Sequence, residues 1–451
     1  MSAFARSESA PVCGRLLPLL ADADLTRRFA WRNGAAVSAG EFIDDVHALA
    51  RLLPMARHAV NLCEDRYRFM VAFCAVALAG QTNLLPSSRA PQAIAETLDA
   101  YGGSYALTER ALQPASMREF VLPDRLAAHA AAPMPQIAAD HAVAIAFTSG
   151  STGQPKANVK TWGAFCASSA LNARVLGADS ALSVVSTVPP QHMYGLELSV
   201  LLPLRSRAAV HTGQPFFAAD IAQALCDVAA PRMLVTTPVH LRALLREAPE
   251  LPPLAAIVSA TAPLDCALAA EAECRYATRV IELFGSTETC VIAHRRTSLD
   301  ESWQLYPQIA LYPQPDGTMV QAPYFVAPTL LQDVVELLPD QRFTLCGRNS
   351  DLLEVAGKRA SLADLTRRLL AIPGVEDGVV FCLDVEAGAV NRLAALVVAR
   401  GLGEADILDA LRRSIDPVFL PRPLRCVEKL PRNATGKLPR AALLEMAKAK
   451  P

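Results

Sequence analysis

Between Thr148 and Lys156 the chain collects the side chains that hold phosphate. Thr148, Ser149, Ser151 and Thr152 offer hydroxyl donors, Gly150 and Gly153 let backbone N–H groups approach an anion closely, and Lys156 adds a compact positive charge. The apolar run from Ala142 to Phe147 predicts a buried strand leading into this loop. The spacing fails the Walker pattern, which wants four residues between its glycines and Ser or Thr directly after Lys. Here only Ser151 and Thr152 separate the glycines, and Ala157 follows Lys156. A generic P-loop NTPase is therefore disfavoured, and by composition alone the stretch is equally a Ser/Gly/Pro surface turn. Other sites along the chain must decide.

Three further stretches carry chemistry of a complementary kind. Ile281 to Glu288 reads as a strand running into a Gly-Ser-Thr-Glu turn, where the Glu288 carboxylate beside the Thr287 hydroxyl suits a hard cation such as Mg²⁺ that bridges to phosphate. Leu345 to Asp351, with Gly357-Lys358-Arg359 after it, and Pro431 to Arg440 are both basic and glycine-bearing. Singly each is compatible with a solvated loop.

Together and in this order, the stretches resemble the motifs of the adenylate-forming superfamily: acyl-CoA synthetases, luciferases and nonribosomal peptide synthetase adenylation domains. The resemblance covers nearly the whole chain. It makes Thr148 to Lys156 the phosphate loop, Gln191 to Gly195 the acyl-pocket motif with His192 shaping the carboxylate site, and Ser259 to Leu264 the strand and turn against adenine. It places Phe284, Thr287 and Glu288 at the base, the phosphate and Mg²⁺. Asp333 and Arg348 would contact the ribose, Arg359 would close the hinge motif, and Lys437, in a Gly-Lys-x-x-Arg pattern completed by Arg440, would be the catalytic lysine. The implied reaction uses ATP and Mg²⁺ to adenylate a carboxylic acid, then passes the acyl group to a thiol, either coenzyme A or the phosphopantetheine of an acyl carrier protein. An aryl or medium-chain acid is preferred, because nothing obvious marks an ammonium site, and the compact size is similar to that of AMP-ligases in pigment and polyketide clusters. Two departures stand out: Ser350 and Asp351 occupy the place where relatives carry the hinge residue, and the regions before the phosphate loop and between Glu288 and Arg348 are short. The rival readings are a phosphotransferase releasing ADP and a non-catalytic adenylate binder.

The elements that must position these groups are legible as periodicity. Phe42, Ile43, Val46, Leu49 and Leu52 recur at helical spacing, and Ala59–Leu62, Tyr67–Leu78 and Gly80–Leu85 follow strand-helix-strand order. Further strands are expected at 182–188, 208–211, 233–236 and 256–258, so a parallel sheet with helices on its faces follows. Composition changes near 347; downstream, helices at 362–370 and 404–413 flank strands at 378–383 and 392–398. The expected fold class is α/β: a large multi-sheet N-terminal domain (1–347) of the adenylate-forming type plus a small mobile α+β C-terminal domain (348–451).

Composition limits the partners. A formal charge of −1 recruits neither nucleic acid nor an anionic membrane in bulk, which leaves small-molecule ligands. The longest apolar run, Met70 to Ala79, is about half of the roughly 20 residues a spanning helix needs. Leu16 to Leu20 is too short and proline-broken for a secretory signal, and the 11 scattered cysteines read as reduced core residues. A cytoplasmic location is expected.

Overall fold

The strand-helix-strand order expected from 59 to 85 is realised as strand His58–Asn61, helix Arg66–Leu78 and strand Thr82–Leu85. The computed structural model describes residues 14–86, 89–112, 118–126, 132–149, 155–314, 317–348, 352–355, 358–383, 392–433 and 438–448. Gly150, Ser151, Thr152, Gly153, Ser350, Asp351 and Lys437 lie outside these, and for Ser149, Arg348 and Arg359 the backbone alone is described.

Two compact units form: one of the chain up to Glu301 with Leu305–Ile309 and Ala322–Ala327, the other of Ser302–Gln304, Ala310–Gln321 and everything from Pro328. In the first unit one sheet runs, edge to edge, Pro155–Thr161, Ala142–Ser149, Thr82–Leu85, His58–Asn61, Tyr105–Thr108, Glu119–Val121. Its neighbours are parallel except the first pair, which is antiparallel. The helix Arg66–Leu78 carries apolar residues on every side and is buried along Phe69–Ala77, as an unstriped helix must be. Asp65 caps it by accepting from Arg68 N at 2.8 Å.

The second sheet of this unit runs Ala35–Ser38, Arg28–Arg32, Ala208–His211, Leu182–Ser186, Arg232–Thr236, Ala256–Ser259, Val280–Ser286, Cys290–Arg295. The strands between Arg28–Arg32 and Val280–Ser286 are parallel, and the pairs Arg28–Arg32/Ala35–Ser38 and Val280–Ser286/Cys290–Arg295 are antiparallel hairpins. The first hairpin turns at Asn33-Gly34, whose φ values of 50° and 75° match the twist of paired strands. Helices Ala218–Cys226, Pro238–Glu247 and Cys266–Tyr276 set Ile221, Leu225, Leu241, Leu244 and Ala269 against Val185, Leu234, Ile257 and Val280. Each fully buried aliphatic side chain there contributes about 1.5–3 kcal/mol.

The second unit holds the antiparallel pair Asp333–Leu338 and Arg342–Arg348, and a three-stranded sheet of Val375–Cys382, Leu393–Ala399 and Leu424–Cys426. Helices Leu362–Leu370 and Glu404–Arg412 cover one face through Leu365, Leu369, Ile407 and Leu411. Helix Arg440–Lys448 covers the other through Leu443 and Ala447. Among the described residues no helix is long and apolar enough to cross a membrane, and the described cysteines are free thiols.

Candidate active site

The stretch expected to bind phosphate connects two strands in the chain rather than a strand and a helix. Ala142–Ser149 leads in, and Pro155–Thr161 returns antiparallel with Lys156 opposite Thr148. Since strand side chains alternate, Lys156, Asn158 and Lys160 share one face of the returning strand with Thr148. They grade inward: Lys156 is exposed, Asn158 half-buried and Lys160 only 6% exposed.

Glu288 meets this face. The strand Val280–Ser286 continues through Gly285 and Ser286, beyond the point where the sequence suggested a turn, and the chain reverses over Thr287–Thr289 into Cys290–Arg295. Gly285 is obligatory, because a Cβ there would stand 2.2 Å from the Cys290 carbonyl oxygen. The Ser286 hydroxyl accepts from Glu288 N and Thr289 N at 3.1 and 3.2 Å, which fixes the turn. Thr148 Oγ1 then lies 3.5 Å from Glu288 Oε1, and Asn158 Nδ2 lies 3.5 Å from Thr148 Oγ1. Such a separation is too long for a strong hydrogen bond. Among the described residues the Glu288 carboxylate has no closer side-chain partner, so a hydroxyl and a carboxylate form an oxygen donor set that fits Mg²⁺. Lys156 and Thr148 at the loop's edges fit the phosphates of ATP. Phe284 and Thr287, both half-buried, stand on either side of Gly285 and Ser286.

The acyl-pocket motif is built at the end of the strand Leu182–Ser186. His192, half-buried, precedes the short helix Met193–Leu196, and the helix passes without a break into a π-helical turn, Glu197–Leu201, of the kind enriched at functional sites. Gly195 is fixed by contact: its Cβ would lie 2.1 Å from the Pro189 carbonyl oxygen. The Tyr194 hydroxyl donates to Val258 O at 3.0 Å, which ties this motif to the strand entering the Ser259–Leu264 segment. Burial pushes the Tyr194 phenol well above its ordinary value, so it serves as a neutral donor. Leu264 N donates to Glu282 Oε1 at 2.9 Å, which anchors the end of that segment.

Asp333 and Arg348 are cross-strand partners in the second unit. Arg359 lies in the strand Lys358–Ser361 opposite Glu354. Three buried polar residues were missed from sequence. Arg66, 1% exposed, donates to Ser199 Oγ and, at 3.0 Å each, to Ser186 O and Val188 O; it thereby secures the approach to His192. Burial lowers its guanidinium to about 10. Lys160 and Glu197 are the others. The alternation Lys156-x-Asn158-x-Lys160 was a usable signal for the first, and an acid inside the apolar run Leu196–Leu204 for the second.

The chain is similar to several known ligases. It is 31% identical over 302 residues to the 4-coumarate–CoA ligase of Rhodobacter capsulatus, covering 66% of this chain and 74% of that ligase. A shorter stretch of 137 residues is 32% identical to the L-proline–[L-prolyl-carrier protein] ligase of Pseudomonas fluorescens, over 28% of this chain and 27% of that one. The fold superposes on the o-succinylbenzoate CoA synthetase of Bacillus subtilis in complex with its acyl-adenylate intermediate, with TM-score 0.82, 19% identity and coverage of 97% and 99% of the two chains. The family model for AMP-binding enzymes matches residues 29–314, a span that holds the phosphate loop, the His192 motif and the Glu288 turn, and the chain therefore belongs to the AMP-binding enzyme family.

Proposed function

We propose that the chain is an ATP-dependent, AMP-forming acid–thiol ligase that adenylates an aryl carboxylic acid and passes the acyl group to coenzyme A or to a carrier protein's phosphopantetheine. The observation that carries this reading is the meeting of Thr148 and Glu288 beside the Lys156 strand face. The names of the 4-coumarate and o-succinylbenzoate ligases favour an aryl acid over a medium-chain one, and that of the prolyl-carrier ligase keeps a carrier protein in view.

In the first step a carboxylate oxygen attacks the α-phosphorus of ATP, the bond to the bridging oxygen breaks, and pyrophosphate leaves with the electron pair. Charge grows on the phosphoryl oxygens, where the loop of Thr148 to Gly153 and Lys156 supply preorganised donors. Glu288 would hold Mg²⁺, which would supply Lewis-acid polarisation of those oxygens. Phe284 and Thr287 flank the base and phosphate, Asp333 and Arg348 hold the ribose, and His192 shapes the acid's pocket. Lys437 neutralises the repulsion between the carboxylate and α-phosphate, a positioning and electrostatic task. In the second step the thiolate attacks the acyl carbonyl and AMP leaves. Ser350 stands where relatives carry the hinge residue and Arg359 where they close the hinge motif, which suits an enzyme that runs two half-reactions in turn. An acid panel scored by pyrophosphate release, with coenzyme A present and absent, tests the reading. AMP and pyrophosphate from an aryl acid are expected; ADP as product would overturn it.

A further inference from the structure

The Glu288 turn is held from below by a charge that the motifs do not mark. Lys160 Nζ donates to the Glu288 backbone carbonyl at 2.6 Å, from a side chain that is itself almost wholly buried. Nearby stands Glu197, a carboxyl only 1% exposed that burial raises above its ordinary value, a shift that its hydrogen bonds and the Lys160 charge oppose. Glu197 accepts from Val291 N at 3.1 Å, from Ser168 Oγ at 2.8 Å and from Asn172 Nδ2 at 3.2 Å. Asn172 in turn accepts from the Tyr306 hydroxyl at 3.0 Å. Glu197 therefore ties the turn that follows the His192 helix to the strand leaving the Glu288 turn, while Lys160 ties the strand of Lys156 to the turn itself. Burial pushes the Cys290 thiol up to about 12, so it adds no charge to this cluster.

We propose that Lys160 is a positioning residue for Mg·ATP: it pins the Glu288 backbone so that the carboxylate faces Thr148. The inference rests on the reading of Glu288 as the metal-binding carboxylate. Burying an ammonium and a carboxylate is costly, and a polar core with no further task is served as well by apolar side chains. The specific return here is a fixed carbonyl directly behind the carboxylate in use, since a first-shell group is only as well placed as the contacts that hold it.

The test measures ATP binding by calorimetry with Mg²⁺ and with EDTA, alongside thermal melting, for the wild type, Lys160→Met, Glu197→Gln, the double variant and Glu288→Gln. Lys160→Met should lose at least fivefold of the Mg²⁺-dependent gain in ATP affinity and should melt lower, because the buried Glu197 loses the charge that opposes its upward shift. Lys160→Met/Glu197→Gln should recover much of the melting loss and none of the binding loss. Recovery of both together would overturn the proposal and make the pair purely structural. A normal Mg²⁺ effect in Lys160→Met with a lost one in Glu288→Gln would overturn it alone. A normal Mg²⁺ effect in Glu288→Gln would remove Glu288 from the metal site and the proposal with it.

Discussion

Two lysines on one strand face divide the electrostatic work at the scale of single residues. Lys156 is exposed beside the loop, in keeping with the phosphate role proposed for it, whereas Lys160 is enclosed and bonded to one carbonyl. Lys437 is assigned a third task, that of bridging the two reactants, and substitution should separate it from the others. Lys437→Ala should abolish acyl-adenylate formation while largely sparing thioester formation from supplied adenylate. Pyrophosphate exchange within about tenfold of wild type, roughly 1.4 kcal/mol of barrier, would reject that role. Melting should change little, since lysine is seldom buried without a partner.

At the scale of elements, the motifs owe their glycines to close backbone approach. Gly195 and Gly285 each face a carbonyl oxygen, Pro189 O at 2.1 Å and Cys290 O at 2.2 Å from a notional Cβ. Neither oxygen ends a flexible side chain, so the backbone itself would have to move. Gly195→Ala should therefore shift the Met193–Leu196 helix and cost about 1–3 kcal/mol of stability, as overpacking does. Because His192 begins that helix, the KM for the acid should rise more than the KM for ATP. Equal changes in both, measured by pyrophosphate exchange, would place the motif away from the acid.

For the whole molecule the buried histidines set a direction with pH. Burial lowers the imidazoles of His211, His240 and His294; at His211 the nearby Asp227 opposes it. A lowered imidazole binds fewer protons folded than unfolded, so its contribution is fully present above the ordinary value of about 6.5 and is lost as pH falls through the folded value. The carboxyls of Asp45 and Glu197, raised by burial, work in the opposite sense: their folded forms hold protons longer, and stability is lost as pH rises through the raised values. Comparison with a variant isolates the histidine term. The drop in melting temperature from pH 7.5 to 5.5 should be smaller in His294→Phe than in the wild type, and an equal drop would show that His294 does not titrate differently on folding.

The sequence by itself determined the elements marked by continuous apolar runs, such as Ala142–Ser149 and Arg66–Leu78, where burial on all sides excludes polar residues, and those with an apolar stripe, such as Glu404–Arg412, where burial of one face imposes its period. It also determined the order of the phosphate, acyl and Glu288 motifs, since backbone approach and anion binding restrict residue type locally. It left the strand Pro155–Thr161 unread, because three polar residues in alternation look like a solvated loop until a partner covers one face. Only the tertiary structure decided that this face meets Glu288, that Asp333 and Arg348 share a register position, and that Lys160, Glu197 and Arg66 are buried. The reason is physical: a charged side chain is stable inside only through groups brought to it from distant parts of the chain, as Glu197 is by Ser168, Asn172 and Val291, and no local spacing encodes that meeting.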